Sequence, residues 1–589
     1  MIITLPNKTA RDENNMHSSC MAKPLFLFAS LFVIVSLACS SSAAVPTQPV
    51  STDQGQVEST STSKAVNIPE PTNTSQSANT PRPTNNPQPT NTPKPTKVLT
   101  ATPTILPAVL LPQGTDGFPW WNDTVFYEIF VRNYYDSNGD GSGDLKGVIE
   151  KLNYLAKLGI TGIYPMPIFE ASDPSGYPVT DFMAIESDYG TLDDLKHLIS
   201  DAHQRGMRVI LDFSINASST QHPWFIASQD PTSTYRDWYS WSETNPCSFG
   251  PWGQQVWWKS NSGFYYALFG CCADWNYKNP SVTTYIESIF KYWLQEVGVD
   301  GFRLDAVKHL IEQGQAQENT QSTHDWLKQF RTFFKGINPN ALLLGEVWDS
   351  DTNIAAYCRG DELDICFEFG IASAIRNVAG SGNNAQIDQA LDQAYRLIPH
   401  EQFGPFSDNN DLERAINQFN NDEGKAGVAA SLLLTSPGTP LMYYGEEIGM
   451  QGGILEPFKW SNASQQTDDP GSLLSHYRSL ITLRKAHPAL RVGDLNIVST
   501  GNPGLFASLR ISSTEAALMI INLTNTAISN YRLSLNKSTL QRGSYIATPL
   551  MGQGPFVDLR VNSQGGFANY IPLTDIPAYA TLIVQLSPK

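Results

Sequence analysis

The chain has 589 residues, and 56 Asp and Glu against 39 Lys and Arg leave a formal charge of −17 at neutral pH. That balance excludes nucleic acid as an expected partner, because phosphate binding requires clustered cations. Hydrophobic residues at 41 %, aromatics at 11 % and charged residues at 16 %, with 39 Pro and 42 Gly, describe globular material diluted by a polar tract, so several domains are expected.

The first element in chain order is an apolar stretch, LFLFASLFVIVSLA, between Leu25 and Ala38. At about fourteen residues it is short for a membrane-spanning helix and has the length of a signal-peptide core. Residues 1–38 are therefore read as a signal segment, with translation starting at Met21. The run ends in Ser36-Leu37-Ala38-Cys39, which resembles a bacterial lipoprotein cleavage site. Lipidation of Cys39 is the favoured reading and plain secretion after signal-peptidase cleavage the alternative. Residues 39–111 repeat Pro, Thr, Asn, Ser and Gln with almost no large apolar side chain. Nothing there offsets the entropy of ordering, so this stretch is expected to be an extended, disordered stalk. The head it carries is expected outside the cytoplasm, secreted or lipid-anchored at the cell surface, and touching a membrane only through Cys39. An extracytoplasmic polymer is the natural target, and a monomer is expected.

Five cysteines follow Cys39: Cys247, Cys271, Cys272, Cys358 and Cys366. In an exported chain they predict two disulfides and one remaining thiol, with Cys358 and Cys366 as the short-loop pair. No spacing suggests zinc.

From 112 to 489 apolar or β-branched runs alternate with amphipathic helical patterns. The runs at 125–131, 159–168, 208–215, 301–307, 342–348, 365–370, 403–410 and 441–447 read as eight strands. The stretches 145–158, 192–205, 281–297 and 324–335 carry apolar residues at intervals of three and four and read as helices. Such alternation builds a parallel sheet, and eight units close into a (β/α)8 TIM barrel. An insertion at about 217–277, after the third strand, is crowded with Trp224, Trp238, Trp241, Trp252, Trp257, Trp258, Tyr265, Tyr266 and Trp275. Most are expected to fill a small core, a minority to serve as platforms for sugar rings. From 490 to 589 short alternating runs at 495–499, 505–511, 516–523, 531–535, 545–548, 557–561, 570–573 and 581–586 predict an antiparallel β-sandwich.

Chemistry in such a barrel sits at the carboxyl ends of the strands. Acidic residues recur there: Asp212, Asp305, Glu346 and Asp411. A carboxylate at a buried strand end is costly unless paired or functional. Arg303 lies two residues before Asp305, so both side chains point to one face, and the guanidinium is expected to keep Asp305 ionised. Glu346, repelled by its neighbours, is expected to stay protonated. That division suits a retaining glycosidase, in which one carboxylate attacks the anomeric carbon while a carboxylic acid about 5 to 5.5 Å away protonates the leaving oxygen. The competing reading is a set of structural ion pairs.

The chain then resembles a known family. In order, VFYEIFVRNYYDSNGDGSGDLKG, GYPVTDF with YGTLDDLK, HQRGMRVILDFSIN, HPWF, DWNYKNPSV, GVDGFRLDAVKHL, LLLGEVWD, Asn410-Asp411, and YYGEEIGM with EPFKW are similar to the segments of the α-amylase family, glycoside hydrolase family 13. By that resemblance Asp305 is the nucleophile, Glu346 the acid/base and Asp411 the third carboxylate, which orients sugar hydroxyls. Tyr177, Arg303, Lys308, His309 and Asn410 fall where the family lines its central subsites. Closeness to secreted bacterial α-amylases implies an α-1,4-glucan substrate. Three positions depart from the pattern. Ala217 and Asn410 replace the two histidines that grip the reacting sugar, and Pro178 replaces an acidic residue. Losing two sugar contacts of about 1 to 3 kcal/mol each costs on the order of 10- to 10⁴-fold in rate against an acceleration of at least about 10⁶. A hydrolase is therefore expected, slow or of shifted substrate choice, with a glucan-capturing protein without turnover and a transglycosylase as rivals.

Asp136, Asn138, Asp140, Ser142 and Asp144 place oxygen at alternate positions of a glycine-rich loop, which suits a hard cation. The loop lacks the bidentate Glu of a helix-loop-helix site, since Gly147 stands there. The resemblance implies structural Ca²⁺; the alternative is a solvated acidic turn. Asn216 matches a second calcium position of the family.

Overall fold

The computed structural model describes residues 110–399 and 402–589. The signal segment, Cys39 and the stalk up to residue 109 lie outside the described residues.

Eight parallel strands form the central sheet: β1 Phe126–Ile129, β2 Gly162–Pro165, β3 Arg208–Phe213, β4 Gly301–Leu304, β5 Leu342–Gly345, β6 Ile365–Phe367, β7 Phe403–Gly404 and β8 Leu441–Tyr443. Neighbours in sequence are neighbours in space from β7 back to β1, and β1 also pairs with β8. A parallel bridge between Phe406 and Leu441 joins β7 to β8 and closes the barrel. Helices cover the outside, so the strands are buried on both faces and read as nearly continuous apolar runs. The helix α1 Leu145–Leu158 begins at Asp144, whose side chain accepts from the Gly147 N–H, and ends at Gly159 in the left-handed region. The helix α2 Leu192–Gln204 opens with a capping box of Thr191 and Asp194, which satisfies two otherwise unpaired N–H groups. The helix α3 Pro280–Tyr292 runs on into a wider turn, Trp293–Val297, and α4 Gln321–Ile337 follows β4.

The strands are shorter than the apolar runs suggest. The C-terminal part of each run, such as 347–348 after β5 and 407–410 after β7, extends past the strand into the loops at the mouth of the barrel. The insertion after β3 is held at its base by antiparallel pairing of Ala217–Ser219 with Cys272–Asp274 and contains a three-stranded sheet. Its aromatics form the expected small core: Trp224 stacks on Tyr235, Phe225 on Trp241 and Tyr239 on Trp275.

The C-terminal region holds β9 Asp494–Ile497, β10 Leu505–Ile511, β11 Ala516–Asn522, β12 Leu533–Leu535, β13 Gly543–Met551, β14 Leu559–Val561, β15 Phe567–Tyr570 and β16 Thr581–Pro588. Six form one antiparallel sheet in the order β9-β10-β11-β16-β13-β14, and β12 pairs with β15. All of β11 is buried, with its side chains sorted by the two-residue period. Ala517, Met519 and Ile521 join the barrel core, whereas Leu518 and Ile520 join the core between the two sheets.

Cys358 and Cys366 are joined by a disulfide. Cys271 and Cys272 are both thiols, one more than the single leftover expected from the cysteine count. They are adjacent, Cys271 just before the paired strand and Cys272 its first residue, and their side chains lie within hydrogen-bond reach of each other.

Candidate active site

The site is built around one guanidinium. Arg303 on β4 is level in the sheet with Asp212 on β3 and Leu344 on β5, and it is 1 % exposed. Its Nη1 donates to Asp212 Oδ1 at 2.9 Å and to Asp305 Oδ1 at 2.5 Å, and its Nη2 donates to Glu346 Oε2 at 3.0 Å. Three carboxyls from three strand ends therefore converge on a single cation. Burial alone would weaken the charge of Arg303, but Asp212, Tyr177, Glu346 and Asp305 together hold it firmly protonated.

Ala306 fixes the turn after Asp305. Its φ of 51° is left-handed, a conformation that costs a non-glycine residue about 1 to 2 kcal/mol. In it the Ala306 N–H donates to Glu346 Oε2 at 3.2 Å, tying the end of β4 to the end of β5. Asp305 and Glu346 also hydrogen-bond to each other and so titrate as a pair. Burial is the largest influence on both. It pushes Asp305 up to about 8, opposed by Arg303 and reinforced by Glu346. On Glu346 the charge of Arg303, the hydrogen bond from Asp305 and the Ala306 N–H outweigh burial and hold the group below the ordinary carboxylate range. The two carboxyls of the pair are driven in opposite directions, Asp305 up and Glu346 down, opposite to the division expected from sequence. The physical reason is that Arg303 reaches both carboxyls while the Ala306 N–H reaches only Glu346.

Tyr177 enters from the loop between the short antiparallel strands Phe169–Ala171 and Val179–Ile185. Gly176 permits the turn: its φ is +83°, and a Cβ there would lie 2.5 Å from the Pro167 carbonyl oxygen. The Tyr177 hydroxyl donates to Asp212 Oδ2 at 2.9 Å and accepts from Asn410 Nδ2 at 2.6 Å. Asn410 is thus joined to the carboxyl cluster through Tyr177. Asp411 is the next residue and is buried. The Asn409 side chain accepts from the Asp411 and Leu412 N–H groups, and Asp408 is held by Arg376 at 3.1 Å, so the loop carrying Asp411 is anchored from both sides. Ala217 is buried in the base of the insertion opposite Asp274.

Lys308 is buried and bridges Glu318 at 2.9 Å and Asp349 at 3.2 Å. His309 is 3 % exposed, and its Nδ1 faces the Gln317 carbonyl oxygen at 3.1 Å. Burial lowers this imidazole to about 4, so it is neutral at pH 7. Sequence reasoning overlooked Glu128. It is 2 % exposed on β1, opposite Tyr164 on β2, whose hydroxyl donates to it at 2.9 Å, and burial raises it to about 8. A lone acid within the apolar run VFYEIF was the available signal.

The five oxygen-bearing residues of the candidate cation loop stand apart, before α1. Asp136 accepts from the N–H groups of Asn138, Gly139 and Gly141, Asp140 from that of Ser142, and Ser142 Oγ from Arg132 Nη1. Asp144 caps α1 and accepts from Ser137. The donors are hard oxygens, which fits calcium chemistry, although among the described residues no three His, Cys, Asp or Glu side chains gather as a metal-holding group.

Residues 128–457 match the family model for the α-amylase catalytic domain. The chain is 36 % identical to Alpha-amylase 3 of Dictyoglomus thermophilum over 440 residues, covering 69 % of this chain and 85 % of that protein. It is 28 % identical to the trehalose synthase/amylase TreS of Mycobacterium tuberculosis over 537 residues, 74 % of this chain and 88 % of that one. Among solved structures it superimposes on the α-amylase from H. orenii with a TM-score of 0.69 and 34 % identity, covering 79 % of this chain and 99 % of that one. With the closed eight-stranded barrel and the carboxyl cluster at its mouth, these likenesses make the chain a member of the α-amylase family, glycoside hydrolase family 13.

Proposed function

We propose that the protein is a retaining glycoside hydrolase acting on the α-1,4 bonds of starch-like glucans outside the cytoplasm. The observation that carries this reading is the convergence of Asp305 and Glu346 on Arg303, with a hydrogen bond between them. As the glycosidic oxygen comes within reach, the shared proton passes from Asp305 to Glu346. Asp305, then ionised beside Arg303, attacks the anomeric carbon, while Glu346 protonates the leaving oxygen and releases the aglycone. Glu346, now a carboxylate, takes a proton from water, which attacks the glycosyl-enzyme and frees Asp305 with overall retention. Asp411 orients the hydroxyls of the reacting sugar, and Tyr177 and Asn410 line its subsite. Likeness to proteins named α-amylase supports the substrate class.

A second reading is favoured by one observation: Ala217 brings no donor, and one of the two N–H donors of the Asn410 amide is used on Tyr177. A glucan-capturing protein without turnover would look the same. The trehalose synthases among its relatives keep glycosyl transfer open as a third outcome. Reducing-sugar release from starch and maltohexaose, with product sizing, tests all three. We expect release by the wild type and a loss of about 10²- to 10⁴-fold in Glu346→Gln. Binding without release would establish the second reading, and products longer than the substrate the third. The Asp136–Asp144 loop is proposed to hold a structural Ca²⁺ through Asp136, Asn138, Asp140 and Ser142, with Asp144 linking it to α1. The export signals, the lipid at Cys39 and the stalk remain part of this proposal.

A further inference from the structure

A loop that carries a catalytic carboxylate has no strand ladder to hold it, and its buried polar groups still need partners. After β7 such a loop runs from Ser407 to Glu413, with Asn410 and Asp411 in its middle, and residues 407–411 are all buried. The Asn409 side chain curls the middle of the loop by accepting from the N–H groups of Asp411 and Leu412. The two ends are held from outside.

Arg376 holds them. It stands on the helix Phe369–Ser381, which follows β6, and is 7 % exposed. Its Nη1 donates to the Ser407 carbonyl oxygen at 2.9 Å and to Asp408 Oδ1 at 3.1 Å, and its Nη2 donates to the Glu413 carbonyl oxygen at 2.5 Å. Ser407 and Glu413 flank Asn410 and Asp411, so one guanidinium closes the loop on which both ride. Among the described residues no other side chain donates to both of these ends. The remaining donor, Nε, is steadied by Gln418 Oε1 at 3.2 Å, and Asp408 Oδ1 also accepts from the Ala415 N–H at 2.8 Å. Arg414, the next cation along the chain, is spent on the carbonyls of Tyr444, Gly453 and Ile454 beyond β8. None of the Arg376 bonds reaches Asp212, Asp305 or Glu346, which gather on Arg303 instead.

We propose that Arg376 is a positioning residue for Asp411: by drawing together the two ends of the loop it fixes where the Asp411 carboxyl stands at the barrel mouth. The inference rests on the hydrolase reading above, in which Asp411 orients the hydroxyls of the reacting sugar. The work requires arginine. A planar guanidinium presents donors in a fixed fork and spans two carbonyls, whereas the compact ammonium of a lysine keeps the charge beside Asp408 and loses the span.

The test asks whether Arg376 acts through Asp411. In the full chain, with α-maltosyl fluoride as a reactive substrate that keeps weak variants measurable, Arg376→Lys is expected to lower kcat about tenfold and to leave KM within about twofold, since small displacements of a catalytic group are costly. In a chain that already carries Asp411→Asn, the same change is expected to cost less than about twofold, because residues that act as a unit are not additive. Arg376→Ala is expected to lose more and to regain much of its rate when guanidinium chloride is added well below its denaturing range, whereas Asp411→Asn is expected not to respond. Thermal melting shows which variants are folded; where a change at Arg376 prevents folding, Asp408→Asn takes its place in the comparison with the same expectation. Equal losses with and without Asp411→Asn, or an Arg376→Ala chain that guanidinium does not revive, would overturn the proposal. A wild-type chain that cleaves no glucoside would instead remove the hydrolase reading, and the proposal with it.

Discussion

Arg303 carries the chemistry of this protein at the scale of single residues. One guanidinium faces Asp212, Asp305 and Glu346 directly, so the number of protons in the cluster and their places are set by geometry within a few tenths of an ångström. Ala306 is the residue that holds this geometry. Its left-handed backbone is strained, and its N–H fixes Glu346 against Asp305. Replacing it with glycine relieves the strain and releases the turn. We expect Ala306→Gly to melt at the same temperature or higher and to lose roughly tenfold in kcat on maltohexaose, because small displacements of a catalytic group are costly. Thermal melting and initial rates together check this, and a variant with full activity would show that the turn does not position the pair. Asp305, Glu346 and Arg303 were legible in the sequence as polar residues in apolar strand runs. The direction of the proton between them was not, since it depends on which carboxyl the Ala306 N–H reaches.

Among the elements, helices with strong caps matched their sequence patterns closely. The amphipathic run at 145–158 is bounded by Asp144 and Gly159, each a residue whose conformational preference marks an end. Strands matched in place but not in length, because apolar residues continue past the last ladder bond into the barrel mouth. The hairpin that brings Tyr177 to Asp212 was not foreseen, as its strands are interrupted by bulges and show no clean alternation. The loop before α1 makes its prediction at this scale. Adding Ca²⁺ is expected to raise the melting midpoint by several degrees, since a ligand bound only to the folded chain stabilises it. Asp140→Ala, exposed and remote from the carboxyl cluster, is expected to abolish that rise. An unchanged midpoint in the wild type would leave the loop as an acidic turn closed by its own backbone.

Across the whole molecule, burial of ionisable groups links stability to pH. Asp305, Glu128 and Glu368 are each raised to about 8, chiefly by burial. Unfolded, such groups titrate at about 4. Between those values the folded chain keeps protons that the unfolded chain has released, so their contribution is present below about pH 4 and is lost as pH rises through about 8. His222 and His309 act in the opposite sense. Burial lowers both to about 4, so their contribution is present above about pH 6.5 and is lost as pH falls through about 4. Stability is therefore expected to peak on the acid side of neutrality. Urea unfolding from pH 4 to 9 measures it, and Glu128→Gln, which removes one raised group, is expected to flatten the alkaline limb. A curve that climbs steadily to pH 9 would contradict the buried protonated carboxyls.

Period and punctuation determined much of this protein from sequence alone. Eight apolar runs separated by helical faces require a closed parallel barrel, the two-residue alternation after residue 493 requires sheets with two buried faces, and acids at strand ends locate the site. Only the tertiary structure decided that Asn410 bonds to Tyr177, that Lys308 is held by Glu318 and Asp349, and that Glu128 lies beside the cluster. These are contacts between residues tens to hundreds of positions apart. Periodicity says which way a side chain faces, whereas barrel register and loop closure determine what it meets.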